Sequence, residues 1–503
     1  MKGFFIMGEL IAFILYFVIV IGIGIFFFVQ SKDSSGEKDY FLGGRQMGPW
    51  VAAMSAQASD MSAWLLMGLP GSILAFGMGK AWIGIGLAIG TALNWILVAK
   101  RLRKFSKAAN DSITLPQYLS NRFATSNPTL RIVCAVVFLI SFTLYVASAF
   151  SAGTKVFTSL FPNLNPGTAM IIFAAILILY TFLGGFKAVC WTDFFQGILM
   201  LVALLAIPIV VLFTKELDLS ALDKVITADN TAYAFTSNLF NASWQDIVSG
   251  LAWGLGYFGM PHILVRFMSI EKPSMVKKSA TVAIIWVVLS LGASIAIAYL
   301  GRILIGAELL MAGQQERVFI ELARLMFPGF IAGILLAAII AASMSTADSQ
   351  LLVASSSFTS DIYKPVIKKS ATDKELLWVG RIVVVIVAVI AYFIASSNGD
   401  GAHAIMNLVE NAWGLFGAAF GPAVILSLFW KRFTYKGAVA GIIAGAVCDI
   451  LWLRLLASTG VYEILPGFIV SLIVCVIVSL ADKAPSEEVL AIYERATDES
   501  VDD

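Results

Sequence analysis

The stretch Ala58-Ser59-Asp60-Met61-Ser62-Ala63-Trp64 sets an ionisable carboxylate among hydroxyls and small residues, in the middle of an apolar segment running from Val51 to Phe76. A charge at mid-bilayer is costly, so such residues face a cavity and mark an ion or substrate pathway. Shortly after it, Gly68-Leu69-Pro70-Gly71 supplies helix breakers. An interrupted membrane helix leaves main-chain carbonyls and amides free for small ions and solutes. A second constellation, Ala341-Ala342-Ser343-Met344-Ser345-Thr346-Ala347-Asp348, ends another apolar run with hydroxyls at successive positions. Alone, those hydroxyls can bond back to their own helix. Facing a broken helix, they complete an all-oxygen cage, the donor set that a hard cation such as sodium favours. A third stretch, Trp253-Gly254-Leu255-Gly256-Tyr257-Phe258-Gly259-Met260-Pro261, is too rich in glycine and aromatic residues for one smooth helix. Trp253 and Tyr257 lie one turn apart and share a face suited to wall a small, partly apolar solute. Tyr145, central in its span, is a weaker member of the same set, and Asp193 reads either as an access-path acid or as a satisfied interface residue.

These groups need elements that hold them inside a bilayer. The chain has 503 residues, 59% of them apolar and only 13% charged; soluble domains carry roughly 25% charged residues. With a mean hydropathy of +0.89, the fold class is an all-α polytopic membrane protein. Apolar runs against charged punctuation predict thirteen spans, near 8–30, 51–77, 81–99, 130–160, 167–184, 188–214, 244–265, 279–301, 328–347, 377–397, 404–430, 436–456 and 466–481. The two broken spans, second and seventh, stand five apart, as an inverted pair of five-helix repeats requires, with a site where the breaks meet. Most of the 34 lysines and arginines alternate onto one side: Lys32, Lys38 and Arg45, Lys100 to Lys107, Lys187, Arg266 to Lys278, Lys364 to Lys374, and Lys431 to Lys436. The opposite side takes Lys80, Lys215 and Lys224 and the cation-free loop at 398–401. Short cytoplasmic loops carry the basic excess, so the amino terminus is expected outside and the carboxyl terminus in the cytoplasm.

Residues 1–484 are expected to form one transmembrane transport domain. Residues 485–503 should be a short cytoplasmic tail, a brief amphipathic helix with a solvated end, and 215–243 an exposed outer loop. Met1-Lys2-Gly3 leads into a first span with no small-residue cleavage site. The four cysteines, Cys134, Cys190, Cys448 and Cys475, fall in apolar spans and read as small buried hydrophobes. Two histidines, His262 and His403, are too few for a metal centre of the usual kind. No basic stripe calls for a nucleic-acid partner, and no converging acid, base and nucleophile set calls for an enzyme. Glu410 and Asp449 are further acids within spans, with no spacing that ties them to the site. A channel shares the polar spans but not saturable, stoichiometric flux.

The segments Tyr40–Arg45 (YFLGGR), Ala58–Gly71 (ASDMSAWLLMGLPG), Trp191–Asp193, Trp253–Phe267 (WGLGYFGMPHILVRF) and Ser345–Leu352 (STADSQLL) carry a resemblance to the sodium/solute symporter family. Within it they are most similar to the bacterial proline-transporting members, over nearly the whole chain to about Pro485. The resemblance implies thirteen spans in a bacterial plasma membrane, an inverted-repeat core from the second to the eleventh, and inward movement of sodium with each substrate, L-proline. Sodium would sit on the main-chain carbonyls of Ala58, Met61 and Ala342 and the hydroxyls of Ser345 and Thr346. Asp60 would support coupling, Asp193 would line the sodium route, Arg45 would act at the cytoplasmic side, and Ser62, Tyr145, Trp253, Tyr257 and Pro261 would surround the substrate. No cofactor is implied beyond the co-transported ion. Two positions depart from the family pattern: Ala63 stands where glycine is frequent, and Met260 where proline transporters carry glutamine, an amide that both donates and accepts. Another small solute of the family, such as a different amino acid, a carboxylate, pantothenate or a sugar, is the alternative substrate.

Overall fold

In hydrocarbon every backbone N–H and C=O must be satisfied within its own segment, so the long apolar runs fold as helices. A computed structural model describes residues 2–30, 37–183, 185–228, 230–398, 404–498 and 500. In chain order the helices are α1 (Lys2–Gln30), α2 (Glu37–Leu42), α3 (Pro49–Asp60), α4 (Leu69–Phe76), α5 (Trp82–Leu93), α6 (Lys100–Ala108), α7 (Leu115–Arg122), α8 (Thr129–Leu160), α9 (Pro166–Leu183) and α10 (Phe186–Thr214). They continue as α11 (Trp244–Ala252), α12 (Pro261–Ser269), α13 (Val276–Met311), α14 (Val318–Met326), α15 (Gly329–Ser356), α16 (Asp373–Asn398), α17 (Ala404–Phe429), α18 (Tyr435–Leu455), α19 (Ile464–Ala481) and α20 (Glu487–Thr497). Among the described residues ten helices are long and apolar enough to cross a membrane, or eleven if the bent pair α11–α12 is one span. Trp64–Phe76 and Pro166–Thr181, at the places of the second and fifth expected spans, are shorter apolar helices, so length and composition stop short of the expected thirteen. Lys32, residue 229 of the 215–243 loop, residues 399–401 of the cation-free loop, His403 and residues 499 and 501–503 of the tail lie outside the described residues.

Burial separates the inner helices from the rim. In the helices through Gly329–Ile367 and Ala404–Phe429, 83% of the most apolar stretch is buried, against 33% in α1, α16 and α18 and 28% in α19. The rim helices turn large apolar side chains outward, among them Val18, Phe26, Phe213, Phe393, Leu455 and Ile477, as a lipid-facing surface demands. Two five-helix halves form the core, each opening on a broken helix: α3–α4 begins the first and α11–α12 the second. The inner helix α15 packs on α1, α3, α8 and α10, and α17 packs on α8, α18, α19 and the turn after α11.

The first break lies earlier than the Gly68–Gly71 run. Helix α3 stops at Asp60, Met61 takes the non-helical angles φ −81° and ψ 77°, and Ser62 N–H donates to Asp60 O (2.9 Å). Gly68 and Leu69 are themselves helical, and Trp64–Gly68 is a wide turn closed by the Leu69 N–H on Trp64 O. Pro70 falls in the first turn of α4, where a missing N–H costs nothing. The second break is a tight turn, Trp253–Phe258, followed by extended Met260, after which α12 starts on Pro261 with its axis bent by 45°. The 215–243 loop contains a hairpin absent from the sequence reading, β1 (Ile226–Ala228) with antiparallel β2 (Thr231–Tyr233). The tail does form a helix, α20, which buries Val489, Ile492 and Ala496.

Candidate functional site

Where α3 gives out, its last carbonyls lack helical partners and meet hydroxyls from α15. Ser345 Oγ donates to Ala58 O at 2.7 Å and lies 3.2 Å from Ala342 O, while Thr346 Oγ1 is 3.4 Å from Ala58 O. All four residues are buried. Met61 stands at the break itself, its N–H on Gln57 O at 2.8 Å. Main-chain carbonyls and neutral hydroxyls converge here, a donor set for a hard monovalent cation and too weakly charged for a transition metal.

Two residues after Ala58, Asp60 joins the two broken spans. Tyr257 OH donates to Asp60 Oδ2 at 2.6 Å, and Asp60 Oδ1 has no hydrogen-bond partner. The Asp60 main-chain oxygen is approached by Trp64 Nε1 (3.3 Å) and by Tyr145 OH (3.4 Å). Asn94 Nδ2 donates to Tyr257 O (3.0 Å), so the third span props the seventh at its break. Trp253 stacks on Trp413 with ring centroids 6.2 Å apart and meets Tyr462 at 5.0 Å, and Tyr257 sits edge-on to Trp413 at 5.1 Å. Trp413 Nε1 donates to Trp253 O (2.8 Å). Ser62 is buried at the first break, and Pro261 and Met260 are buried at the second. The structure thus brings Asp60, Tyr145 and Tyr257 together and adds Asn94, Trp413 and Tyr462, which sequence reasoning missed. Trp413 offered no signal beyond being an aromatic residue inside a span.

Along α3 and α15, one turn from the Ser345 cluster, lies a charged group. Asp193 Oδ2 accepts from Ser55 Oγ (2.7 Å) and from Arg266 Nη2 (3.1 Å), and Arg266 also donates to Ser349 Oγ (2.5 Å) and His262 O (2.7 Å). Arg266 is 1% exposed, a correction to its place among the loop cations. It follows an apolar run, so the sequence reads it as a helix end, but α12 continues to Ser269 and carries it inward. Asp193 is therefore a buried ion-pair member rather than an interface residue. Ser55 and Ser349, each about one turn from Ala58 and Ser345, carried the missed signal of hydroxyls repeating at helical spacing.

Arg45 lies apart from these groups, at the basic end of the molecule. Its guanidinium donates to Asp111 Oδ1 (2.8 Å), Ser106 Oγ (3.0 Å), Ser112 O (2.7 Å) and Met268 O (2.5 Å), tying the α6–α7 loop to the end of α12. Burial, aided by Arg103, lowers Arg45 to about 10 against the opposing pull of Asp111, so it stays charged at neutral pH. Burial pushes the Asp111 carboxyl up, but the bond from Lys38 and the charges of Arg45, Lys38 and Lys107 outweigh it and hold Asp111 below the usual carboxylate value.

With this geometry in hand, a model of the sodium:solute symporter family matches residues 40–445. The chain belongs to that family. Membership makes it a transporter and not an enzyme. Among the relatives of this symporter, a sodium/proline symporter of Haemophilus influenzae is 43% identical over 97% of both chains. A high-affinity proline transporter of Bacillus subtilis is 42% identical over 91% of this chain and 95% of its own. Among solved structures, a substrate-bound, outward-open Na+-coupled sialic acid symporter superposes with a TM-score of 0.76 at 20% identity, covering 95% of this chain and 99% of that one. That likeness extends to the fold.

Proposed function

We propose that this symporter imports L-proline with sodium by alternating access across a bacterial cytoplasmic membrane. Residues 1–484 act as one transmembrane unit, with the amino terminus outside and the 485–503 tail in the cytoplasm. The observation that carries the reading is the contact of Ser345 Oγ with Ala58 O at 2.7 Å, which places hydroxyls of α15 on the carbonyls freed at the break of α3. Relatives of more than 40% identity over almost the full chain bear the name sodium/proline symporter, which supports both ion and solute.

In this reading Ala58, Met61, Ala342, Ser345 and Thr346 hold sodium, and Asp60 transmits its presence to the seventh span through Tyr257. Ser62, Tyr145, Trp253, Tyr257 and Pro261 line the solute site, with exposed helix amides at the breaks receiving the carboxylate of a small zwitterion. Asp193 lies on the inward ion route and Arg45 braces the cytoplasmic end. Sodium binds first, fixes α15 against α3, and so completes the solute pocket; binding free energy is spent on coupling. A second reading, another small solute, is favoured by Met260, fully buried where its thioether brings no donor beside Pro261.

The test is uptake of labelled L-proline into liposomes holding the purified protein, under an inward sodium gradient against an equal potassium gradient. Saturable accumulation with sodium alone is the expected result. Sodium-dependent binding of a different solute, with no proline uptake, would keep the mechanism and move the substrate.

A further inference from the structure

Three helices outside the sodium and solute sites bring acids together. Asp449 comes from α18 and Glu463 caps the start of α19, and both point at Gly414 of α17. A Cβ at Gly414 would lie 3.0 Å from Asp449 Oδ1 and 3.4 Å from Glu463 Oε1, so the two oxygens can be no farther apart than the sum of those distances. Asp449 is 2% exposed and Glu463 6%, and neither of these oxygens has a hydrogen-bond partner.

Among the described residues no cation forms an ion pair with either acid. From α17, Glu410 adds a third acid, its main-chain oxygen accepting from Tyr462 OH at 2.7 Å. Lys80, across from Glu410, is engaged with Asp246 of α11 at 2.7 Å. Of the two cations of α18, Lys436 pairs with Asp482 at 3.0 Å, and Arg454 is exposed and five residues from Asp449, well round the helix. Two like charges held this close in a medium of low dielectric cannot both stay bare. Calcium and magnesium take six or more oxygen ligands, and no group of three or more His, Cys, Asp or Glu among the described residues could hold a metal ion. A monovalent cation needs fewer carboxylates to balance its charge.

We propose that Asp449 and Glu463 form a second cation site over Gly414, taking one monovalent cation, a proton or a sodium ion. The site is separate from the Ser345 cluster and does not depend on the reading given to it. It backs directly on the aromatic wall: Tyr462, next to Glu463, meets Trp253 at 5.0 Å, and Trp413, next to Gly414, donates to Trp253 O. Its occupant therefore sets the seating of Trp253 from behind.

The test uses full-length purified protein carrying Ser345→Ala, which weakens the first cluster, and reads the thermal unfolding midpoint at constant ionic strength. One arm replaces choline with sodium at pH 8; the other lowers the pH from 8 to 6 in choline alone. A rise in the midpoint in one arm is expected, naming the cation, and that rise is lost when Asp449→Asn and Glu463→Gln are added. Should that protein not fold, Gly414→Ala keeps both acids, sets a methyl between them and is expected to abolish the same rise. No rise in either arm, or a rise that survives these substitutions undiminished, overturns the site.

Discussion

Ser345 and Thr346 touch the same carbonyl with unequal closeness, 2.7 Å against 3.4 Å, and that inequality orders their expected effects. Removing a neutral hydroxyl costs about 0.5–1.5 kcal/mol of stability, so Ser345→Ala still folds. Losing one of a handful of ion ligands is expected to raise the half-saturating sodium for proline uptake about tenfold or more, some 1.4 kcal/mol, with a smaller rise for Thr346→Ala. Sodium activation curves of uptake check this, and an unchanged half-saturation for Ser345→Ala removes it from the cage. Trp253 acts on the other ligand. It stacks on Trp413, which also donates to its main-chain oxygen, and packs against Tyr462. Trp253→Ala is expected to weaken proline affinity several-fold more than sodium affinity, read by titrating each ligand in turn; equal losses would mean the wall serves the fold and not the solute. At this scale the sequence was legible where a residue type is anomalous for its place, as with Asp60 in an apolar run. It was illegible where the residue is ordinary and only the partner is informative, as with Asn94 or Ser55.

The elements that position these residues meet through glycine. Gly86 and Gly90 of α5 face Gly250 of α11 and Gly254 of the turn after it, two pairs at the four-residue spacing that lets membrane helices approach backbone to backbone. A Cβ on Gly254 would fall 2.4 Å from Gly86 O, and one on Gly90 2.4 Å from Gly254 O, so main chain and not a mobile side chain must give way. Overpacking of this kind costs about 1–3 kcal/mol. Gly254→Ala is expected to lower the unfolding midpoint of the purified protein and its yield, while Gly292→Ala, whose Cβ would meet nothing within 4 Å, leaves both unchanged. An unaffected Gly254→Ala would show that the crossing has slack. The two breaks themselves were foreseeable, since aromatic and glycine-rich runs cannot propagate a regular helix. The place of the first was not: Gly68 and Pro70 are helix breakers by type, yet Pro70 sits in a first turn that tolerates it, and the chain opens instead at Met61, whose side chain gives no such warning. Burial of Arg266 was hidden for a related reason, because a cation after an apolar run looks like a loop whether or not the helix continues.

In the whole molecule, two halves that each begin with a broken helix must report to each other, and the described residues offer a direct link. Tyr257 OH on Asp60 Oδ2 at 2.6 Å ties the break of the second half to the break of the first, two residues from Ala58, whose carbonyl meets Ser345. The general architecture was legible because lipid permits few alternatives: apolar runs must be helices, and interrupted ones must be covered by neighbours. Long-range pairings such as this one were not, since no periodicity connects residues 60 and 257. If the bridge carries coupling, sodium and proline each raise the other's affinity by one common factor, as linkage requires. That factor is expected to be tenfold or more in the unaltered protein, about 1.4 kcal/mol of coupling. Tyr257→Phe keeps the ring against Trp413 and removes only the hydroxyl, leaving Asp60 buried without its donor at a cost of about 1–3 kcal/mol. Each ligand alone should still bind, within a few-fold, while the common factor falls towards one. Binding isotherms for sodium at zero and saturating proline, and for proline at zero and saturating sodium, give the factor twice over. A Tyr257→Phe protein that retains the full factor would place the connection elsewhere, with Arg266 of α12 on Ser349 of α15 and the packing of α15 on α3 as further contacts between the ion cluster and the broken spans.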